Sequence, residues 1–275
     1  MAEIVGAYGT SHTAMMIRKY DPQKADQVRV HNIFSLLKKE IEELQPDAIV
    51  IIASEHMKTF FYDNYPQYCI GVGEMAEGWG EAGVPAHQVG ICRDLANYIL
   101  HQGVERGFDF SWSVNMKLDH GFMSPLHLIT PEMKFPIVPI FQNASTPPLP
   151  TFDRAASLGE SLGEIIRDWP VSRRVVLIGT GGISHWVGTP EMGRINVDFD
   201  KEVLSWFSRG ELHRLRSLAS DEVGRSAGNG AQEIRNWVTV MAAVPNAKAE
   251  ILVYEPVQEW ATGIGIVRFV GRGVQ

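Results

Sequence analysis

The sequence predicts an α/β fold in which one domain is built on a central, mostly parallel or mixed sheet flanked by helices. Short apolar runs rich in β-branched residues recur along the chain, and stretches with the apolar spacing of helices separate several of them. The chain has 275 residues, of which 45% are hydrophobic and 21% charged, so it can bury one extended core. We therefore expect residues 1–275 to form a single domain.

The predicted strands are short apolar segments spread over the whole chain. Several contain few polar residues, which is typical of strands that are buried on both faces of a parallel sheet. The predicted strands are residues 4–7, 48–53, 68–72, 135–141, 175–178, 251–254 and 264–270.

Helices are predicted where apolar residues recur every three to four positions. The clearest stripe consists of Val30, Phe34, Leu37, Ile41 and Leu44, and weaker stripes cover residues 89–100 and 158–166. A further helix is predicted to begin at Asn229, since apolar residues then follow on one face, and to end before Pro245.

The charge balance excludes some classes of function. The net charge of −7, from 32 acidic and 25 basic residues, leaves no basic surface for nucleic acid or for an anionic membrane. The sequence shows neither a secretory leader nor a long apolar span, so we expect a cytoplasmic protein that acts on small molecules. Cys69 and Cys92 are too few for a disulfide framework, and we expect both to be buried thiols.

Four histidines are candidates for a functional site. His12, His56 and His185 each follow a predicted strand within a few residues, and His120 follows an apolar segment in Asp119-His120-Gly121. Ligands of open α/β sheets gather at the carboxyl ends of the strands. A single histidine in such a place is more often a hydrogen-bonded structural residue, but four indicate a shared pocket.

Two histidines and one carboxylate would form a metal site. Imidazole suits Fe, Zn, Cu or Ni, and a carboxylate added to two histidines gives the facial arrangement of non-haem Fe(II). Glu233 is a candidate because it lies in the first turn of the helix predicted from Asn229, although an acid there can simply complement the helix dipole. Glu55 and Asp119, which neighbour His56 and His120, compete as ligands or as groups that orient an imidazole. Spacing does not rank the three acids.

At these residues the sequence resembles the class III extradiol ring-cleavage dioxygenases, the family that includes the catalytic β subunit of protocatechuate 4,5-dioxygenase. No single motif is diagnostic, but the ordered set is specific, and it runs from the first histidine nearly to the C-terminus. The set consists of Ser11-His12, Glu55-His56, Glu77-Gly78-Trp79-Gly80, Asp119-His120-Gly121 with Pro125-Leu126, the glycine-rich residues 179–185 that end in His185, and the helix that carries Glu233.

The resemblance implies an enzyme that uses Fe(II) and O₂ to cleave a catechol-like ring beside its hydroxyl groups and incorporates both oxygen atoms, in the catabolism of aromatic compounds. It implies that His12, His56 and Glu233 hold Fe(II), which selects Glu233 among the three acids. It also implies that His120 and His185 transfer protons. The whole chain would then be one catalytic domain, either self-associated or paired with a small accessory subunit.

Two other functions are compatible with the same residues. A Zn²⁺ hydrolase can also use two histidines and a glutamate, and a non-enzymatic binding protein can keep a fold after losing its chemistry. A dependence on O₂ and stoichiometric iron binding separate these alternatives from a dioxygenase. Trp79, Phe122 and Trp186 are candidates for an aromatic pocket.

Overall fold

A mixed sheet of eight strands forms the centre of the computed structural model, which describes residues 1–274. The strand order is β6-β3-β7-β2-β8-β1-β10-β9, and a separate two-stranded hairpin joins β4 to β5. The α/β prediction is therefore confirmed, with the mixed form of the sheet. The strands are β1 (Glu3–Thr10), β2 (Ala48–Ala53), β3 (Tyr68–Gly71), β4 (Met75–Gly78), β5 (His87–Gly90), β6 (Ser111–Ser113), β7 (Ile137–Gln142), β8 (Arg174–Thr180), β9 (Lys248–Val257) and β10 (Thr262–Val270).

The middle of the sheet is parallel, and this arrangement positions the site. Strands β7, β2, β8 and β1 run in one direction, whereas β10 pairs with β1 in the opposite direction. In the register of β1 with β8, Thr10 lies beside Thr180. The carboxyl ends of β1, β2 and β8 therefore meet at one edge of the sheet, where their loops emerge together.

Helices cover both faces of this sheet. Helices α5 and α9 pack on one face, with α9 against β8 and β1, while α2 and α4 pack on the other. The helices are α1 (Met15–Arg18), α2 (Ala25–Leu44), α3 (Arg93–Glu105), α4 (His120–Ile129), α5 (Phe152–Asp168), α6 (Val197–Arg209), α7 (Leu212–Arg216), α8 (Ser220–Ala227) and α9 (Ile234–Ala243), with short 3-10 turns at Glu81–Gly83, Gly230–Glu233 and Gln258–Trp260.

Glycines allow α5 and α9 to approach closely. A Cβ atom at Gly159 would lie 2.0 Å from the carbonyl oxygen of Thr239, and one at Gly163 would lie 2.2 Å from that of Ala243. Neither distance leaves room for a side chain. The close contact fixes α9, and with it the turn before α9 that carries Glu233.

Some sequence-based expectations were wrong in detail. The hairpin β4–β5 and the short strand β6 were not predicted, and residues 89–92 belong to strand β5 and a connection rather than to a helix. The helical segment predicted from Asn229 begins there as a 3-10 turn that leads into α9, but the Asn229 side chain does not cap it, because its amide pairs with the backbone of Val187. Cys69 is buried as expected, but Cys92 is only half-buried. Among residues 1–274, every helix is too short or too polar to serve as a transmembrane span.

Candidate metal centre and active site

Three predicted ligands meet at the carboxyl edge of the sheet. His12 follows β1, His56 follows β2, and Glu233 ends the 3-10 turn before α9. One Glu233 carboxylate oxygen, Oε1, lies 3.1 Å from His12 Nε2 and 3.1 Å from His56 Nε2. The three ligand atoms lie within 4.8 Å of one another, close enough to share one metal ion. Residues that are far apart in the chain therefore form one cluster.

Hydrogen bonds select the tautomer of His12. Its Nδ1 lies 3.0 Å from the Thr180 hydroxyl oxygen, and this hydroxyl donates its own hydrogen to the Gly121 carbonyl at 2.8 Å. The hydroxyl can therefore only accept from His12, so Nδ1 carries the hydrogen. The lone pair of His12 is consequently on Nε2, the nitrogen that faces Glu233.

Asp119 orients His56 in the same way. Its Oδ2 accepts hydrogen bonds of 2.8 Å from His56 Nδ1 and from the His56 backbone amide, and its Oδ1 caps α4 by accepting from Gly121 N. Burial raises the pKa of Asp119, but its electrostatic interaction and hydrogen bond with His56 outweigh burial and lower this pKa overall. Asp119 is thus an orienting group, as a carboxylate behind a metal-binding imidazole usually is.

Glu55, the third acid considered, has a local role. Its Oε2 accepts hydrogen bonds from the backbone amides of Lys58 and Thr59 at 2.7 and 2.8 Å. It therefore shapes the loop after β2 and lies outside the group of three ligand atoms.

Glu233 is held by backbone as well as by imidazoles. Its Oε2 accepts a hydrogen bond of 2.8 Å from Gly182 N, and a Cβ at Gly181 would lie 2.5 Å from Glu233 Cβ. Burial would raise the pKa of Glu233, but His12 and the other imidazoles hold this pKa well below its usual value. The carboxylate is therefore charged and fixed in place.

The donor set fits a divalent metal ion. His12 Nε2 is buried and has no hydrogen-bond partner among the described residues, because its lone pair cannot bond to Glu233 Oε1, which lies 3.1 Å away. An orphaned buried nitrogen with its lone pair aimed at a carboxylate and a second imidazole is the arrangement that a metal ion satisfies. A metal cofactor thus accounts for this geometry.

His185 lies beside the three ligands. Its Nδ1 donates to the Ile183 carbonyl at 3.1 Å, which leaves the lone pair on Nε2, 3.6 Å from Glu233 Oε2. Burial lowers the pKa of His185, so the ring is neutral near pH 7. Gly230 packs against the ring, since a Cβ there would lie 2.1 Å from His185 Nε2. His185 can therefore accept a proton at a fixed position.

His120 lies on the other side of the ligands and starts α4. Its ring stacks on that of His56 with 4.0 Å between centroids, and its Nδ1 donates to Glu81 Oε2 at 2.6 Å. Burial would raise the pKa of Glu81, but the hydrogen bond with His120 lowers it overall. Glu81 lies at the tip of the β4–β5 hairpin, in a turn where Ala82 has a φ of 53°. The hairpin thus holds His120 with Nε2 available to a substrate.

A pocket of about 310 Å³ opens onto these groups. This volume is at the lower end of the range of about 300–1,000 Å³ that is typical of small-molecule sites, so it suits a single-ring compound. Of the predicted aromatic candidates, Trp186 lines the pocket, whereas Trp79 and Phe122 do not. The lining residues are His12, Thr13, Met15, Lys19, His56, His120, Gly182, His185, Trp186, Val187, Met192, Glu259, Trp260, Ala261 and Thr262.

The sequence indicated Asp119 as a possible orienting group and Trp186 as a pocket residue, but not Thr180 and Glu81, which hold His12 and His120, nor the rest of the pocket entrance. Thr180 ends strand β8, two residues beyond the predicted strand of residues 175–178, and its place at a strand end could have suggested contact with the site. Glu81 directly follows the Glu77-Gly78-Trp79-Gly80 motif, but the sequence does not show that its hairpin folds onto α4. Lys19 and Trp260 carry no recognisable local signal.

Comparison with known proteins gives a family match over most of the chain. Residues 6–265 match the family described as the catalytic LigB subunit of aromatic ring-opening dioxygenase. This range contains every residue of the candidate site.

Curated relatives have one name in common. A protein of Photorhabdus laumondii subsp. laumondii named 2,3-dihydroxyphenylpropionate/2,3-dihydroxicinnamic acid 1,2-dioxygenase is 31% identical, over 94% of this chain and 95% of its own length. Proteins with the same name from Klebsiella pneumoniae and Escherichia coli are 27% identical and cover 93% and 89% of this chain and 95% and 92% of their own lengths. The first alignment spans 310 positions, more than the chain's 275 residues, so that relative has insertions where this chain has none.

A solved structure shares the fold. The crystal structure of the uncharacterized protein JW3007 from Escherichia coli K12 has a TM-score of 0.66 at 15% identity and covers 96% of this chain and 99% of its own. At this identity the likeness concerns the fold alone.

Proposed function

The chain belongs to the family of the catalytic LigB subunit of aromatic ring-opening dioxygenases and is an extradiol ring-cleaving enzyme of aromatic catabolism, and from this premise we propose that it uses Fe(II) to open a single-ring catechol with a carboxylate side chain. The curated relatives are named for such a substrate, 2,3-dihydroxyphenylpropionate. The small pocket supports a substrate with one ring. The family and its relatives favour a dioxygenase over a Zn²⁺ hydrolase or a non-catalytic binding protein.

His12, His56 and Glu233 would hold the Fe(II) ion. The two Nε2 lone pairs and the charged carboxylate supply three donors of the types that form a facial two-histidine, one-carboxylate site. When bound there, such an ion supplies open coordination positions at which a catechol and O₂ come together. This convergence of three donors is the observation that carries the proposal.

The remaining histidines would move protons. His185 accepts a proton from a catechol hydroxyl at Nε2, because that nitrogen carries a lone pair and the ring is neutral near pH 7. To supply a proton to the substrate during ring cleavage, His120 would carry hydrogens on both ring nitrogens, giving the one on Nε2 while Nδ1 keeps its hydrogen bond to Glu81. The apolar walls of Trp186 and Trp260 exclude water from the ring.

Anaerobic reconstitution with Fe(II), followed by an oxygen electrode, tests the proposal. We expect one metal ion per chain, O₂ consumption that starts on addition of 2,3-dihydroxyphenylpropionate, and a yellow ring-opened product. Zn²⁺-loaded protein is the matched control and should consume no O₂. Equal turnover with either metal, or product formation without O₂, would contradict the proposal.

Three further expectations belong to this function. We propose that residues 1–275 act as one catalytic domain, that the chain self-associates or binds a small accessory subunit, and that it works in the cytoplasm. Light scattering coupled to size-exclusion chromatography measures the second. A monomer that is fully active alone would contradict the expectation of association.

A further inference from the structure

The pocket entrance has an uneven distribution of charge. Apart from the histidines of the metal centre, the ionisable side chains that line the pocket are those of Lys19 and Glu259. The remaining lining residues are uncharged; Met15, Trp186 and Trp260 are apolar or aromatic, and Thr13 and Thr262 carry hydroxyls. Outside the metal centre, an anionic group on a substrate would therefore meet only two charged side chains in the pocket lining.

Lys19 is the charge that is free to bind an anion. The Glu259 carboxylate lies 3.0 Å from the ammonium group of Lys24, which neutralises it. Lys19 forms no ion pair with any residue that the structure describes. The net charge offered to a ligand at the entrance is therefore positive.

The backbone under Lys19 is fixed, although its side chain is exposed. The Lys19 carbonyl accepts a hydrogen bond of 3.3 Å from Trp260 Nε1, and the Met16 carbonyl accepts one of 2.8 Å from His31 Nε2. These bonds tie the short helix α1 to the turn before β10 and to α2. Since His12 lies just before α1, a metal ligand and a cation are presented by the same segment of chain.

We propose that Lys19 binds the side-chain carboxylate of the substrate while the catechol hydroxyls occupy the metal centre. The inference rests on the proposed function and assigns a residue to its substrate class. Met15 and Trp186 would contact the carbon chain between the ring and the carboxylate. Because Lys19 is exposed, water and salt screen its charge, and the expected contribution is about 3- to 5-fold in affinity.

The first test compares charged and neutral substrates on the Fe(II)-loaded enzyme. Lys19→Met should lower kcat/KM for 2,3-dihydroxyphenylpropionate about 3- to 5-fold, through KM, and leave 3-methylcatechol unchanged. Lys19→Arg keeps the charge and should restore most of the loss. The difference between the substrates should shrink as ionic strength rises. Equal losses with both substrates, or none with either, would overturn the proposal.

The second test does not depend on turnover. Binding of 3-phenylpropionate, which has the carboxylate but no hydroxyls, is measured by the fluorescence of the pocket tryptophans. We expect Lys19→Met to weaken this binding about 3- to 5-fold and to leave methyl 3-phenylpropionate unaffected. Lys39→Met, on the exposed face of α2 and outside the pocket, is the matched control and should change neither.

The two tests distinguish a failure of the proposed function from a failure of the proposed Lys19 subsite. If 3-phenylpropionate binds in a Lys19-dependent way but no catechol is cleaved, the proposed function is wrong and the subsite stands. If catechols are cleaved but Lys19→Met changes neither substrate preference nor 3-phenylpropionate binding, the subsite is wrong and the function stands.

Discussion

The metal centre and the pocket entrance differ in how firmly their residues are held. His12 and Glu233 are each 3% exposed and are fixed by hydrogen bonds from strand ends and loop backbone, whereas Met192 is 62% exposed and Val187 48%. The metal-binding donors and the proton-transferring groups would have to keep their positions closely for a reaction to occur. The pocket entrance would only have to complement the side chain of a substrate. Under the proposed function, the chemistry would be placed on the rigid sheet edge and substrate choice on surface segments.

The largest effect is expected at the metal centre. Glu233→Gln removes the negative charge from the site, so the bound metal should fall well below one equivalent and ring cleavage should fall to background. Metal analysis after desalting and the oxygen electrode measure both. Glu222→Gln, on the exposed side of α8, is the control and should keep metal and activity. Full metal binding in Glu233→Gln would contradict the assignment of Glu233 as a metal ligand and, with it, the difference drawn between the two regions.

Removal of the proposed base should separate metal binding from turnover. His185→Ala leaves the three ligands in place but removes the neutral imidazole, so we expect normal metal content and a loss of about 10²- to 10⁴-fold in kcat. Metal loss in this variant would mean that His185 is a ligand rather than a base. Unchanged turnover would exclude it from the reaction.

A smaller effect is expected at the hairpin, which links the two regions. Glu81→Gln keeps the size of the side chain but removes the charge next to His120 Nδ1. We expect kcat to fall about 10- to 100-fold with metal content and KM little changed, since an orienting group acts through the residue it holds. Glu77→Gln, on strand β4 of the same hairpin, serves as the control. A loss confined to KM would assign Glu81 to substrate binding instead.

The smallest effect is expected outside both regions, at a pair of partly buried histidines. His87 Nε2 lies 3.0 Å from His127 Nδ1, and burial lowers the pKa of both. A lowered folded pKa means that the unfolded chain binds more protons, so stability should fall as pH drops below about 6.5. His127→Gln should make thermal unfolding between pH 7 and pH 5 less dependent on pH, at unchanged kcat. An unaltered pH dependence would show that the pair does not contribute.

The sequence predicted the strands and the histidine–glutamate cluster better than the residues that hold this cluster in place. Apolar runs such as Ala48–Ala53 are buried on both faces, so composition alone marks them as strands. Histidines at strand ends could be related to one another because parallel strands end at one edge. The site roles of His12, His56, His120, His185 and Glu233 stay predictions that the variants above test.

Other features depend on contacts between distant segments. The hairpin β4–β5 contains glycines and few apolar residues, so it lacks a strand pattern, and nothing local indicates that Glu81 reaches α4. The apolar stripe that starts at Val89 predicts a helix, although its first residues form a strand, because a short apolar segment fits the 3.6-residue period of a helix as well as the two-residue period of a strand. The pocket entrance combines segments from three parts of the chain, which a single sequence cannot bring together.

The glycine beside the proposed base offers a route to trapping a substrate in place. Because the ring of His185 occupies the space that a methyl group at Gly230 would need, Gly230→Ala should push the ring aside while the three ligand atoms stay together. Such a protein would load metal and bind a catechol but cleave it far more slowly. Crystals soaked briefly in a catechol could then reveal an intact bound substrate.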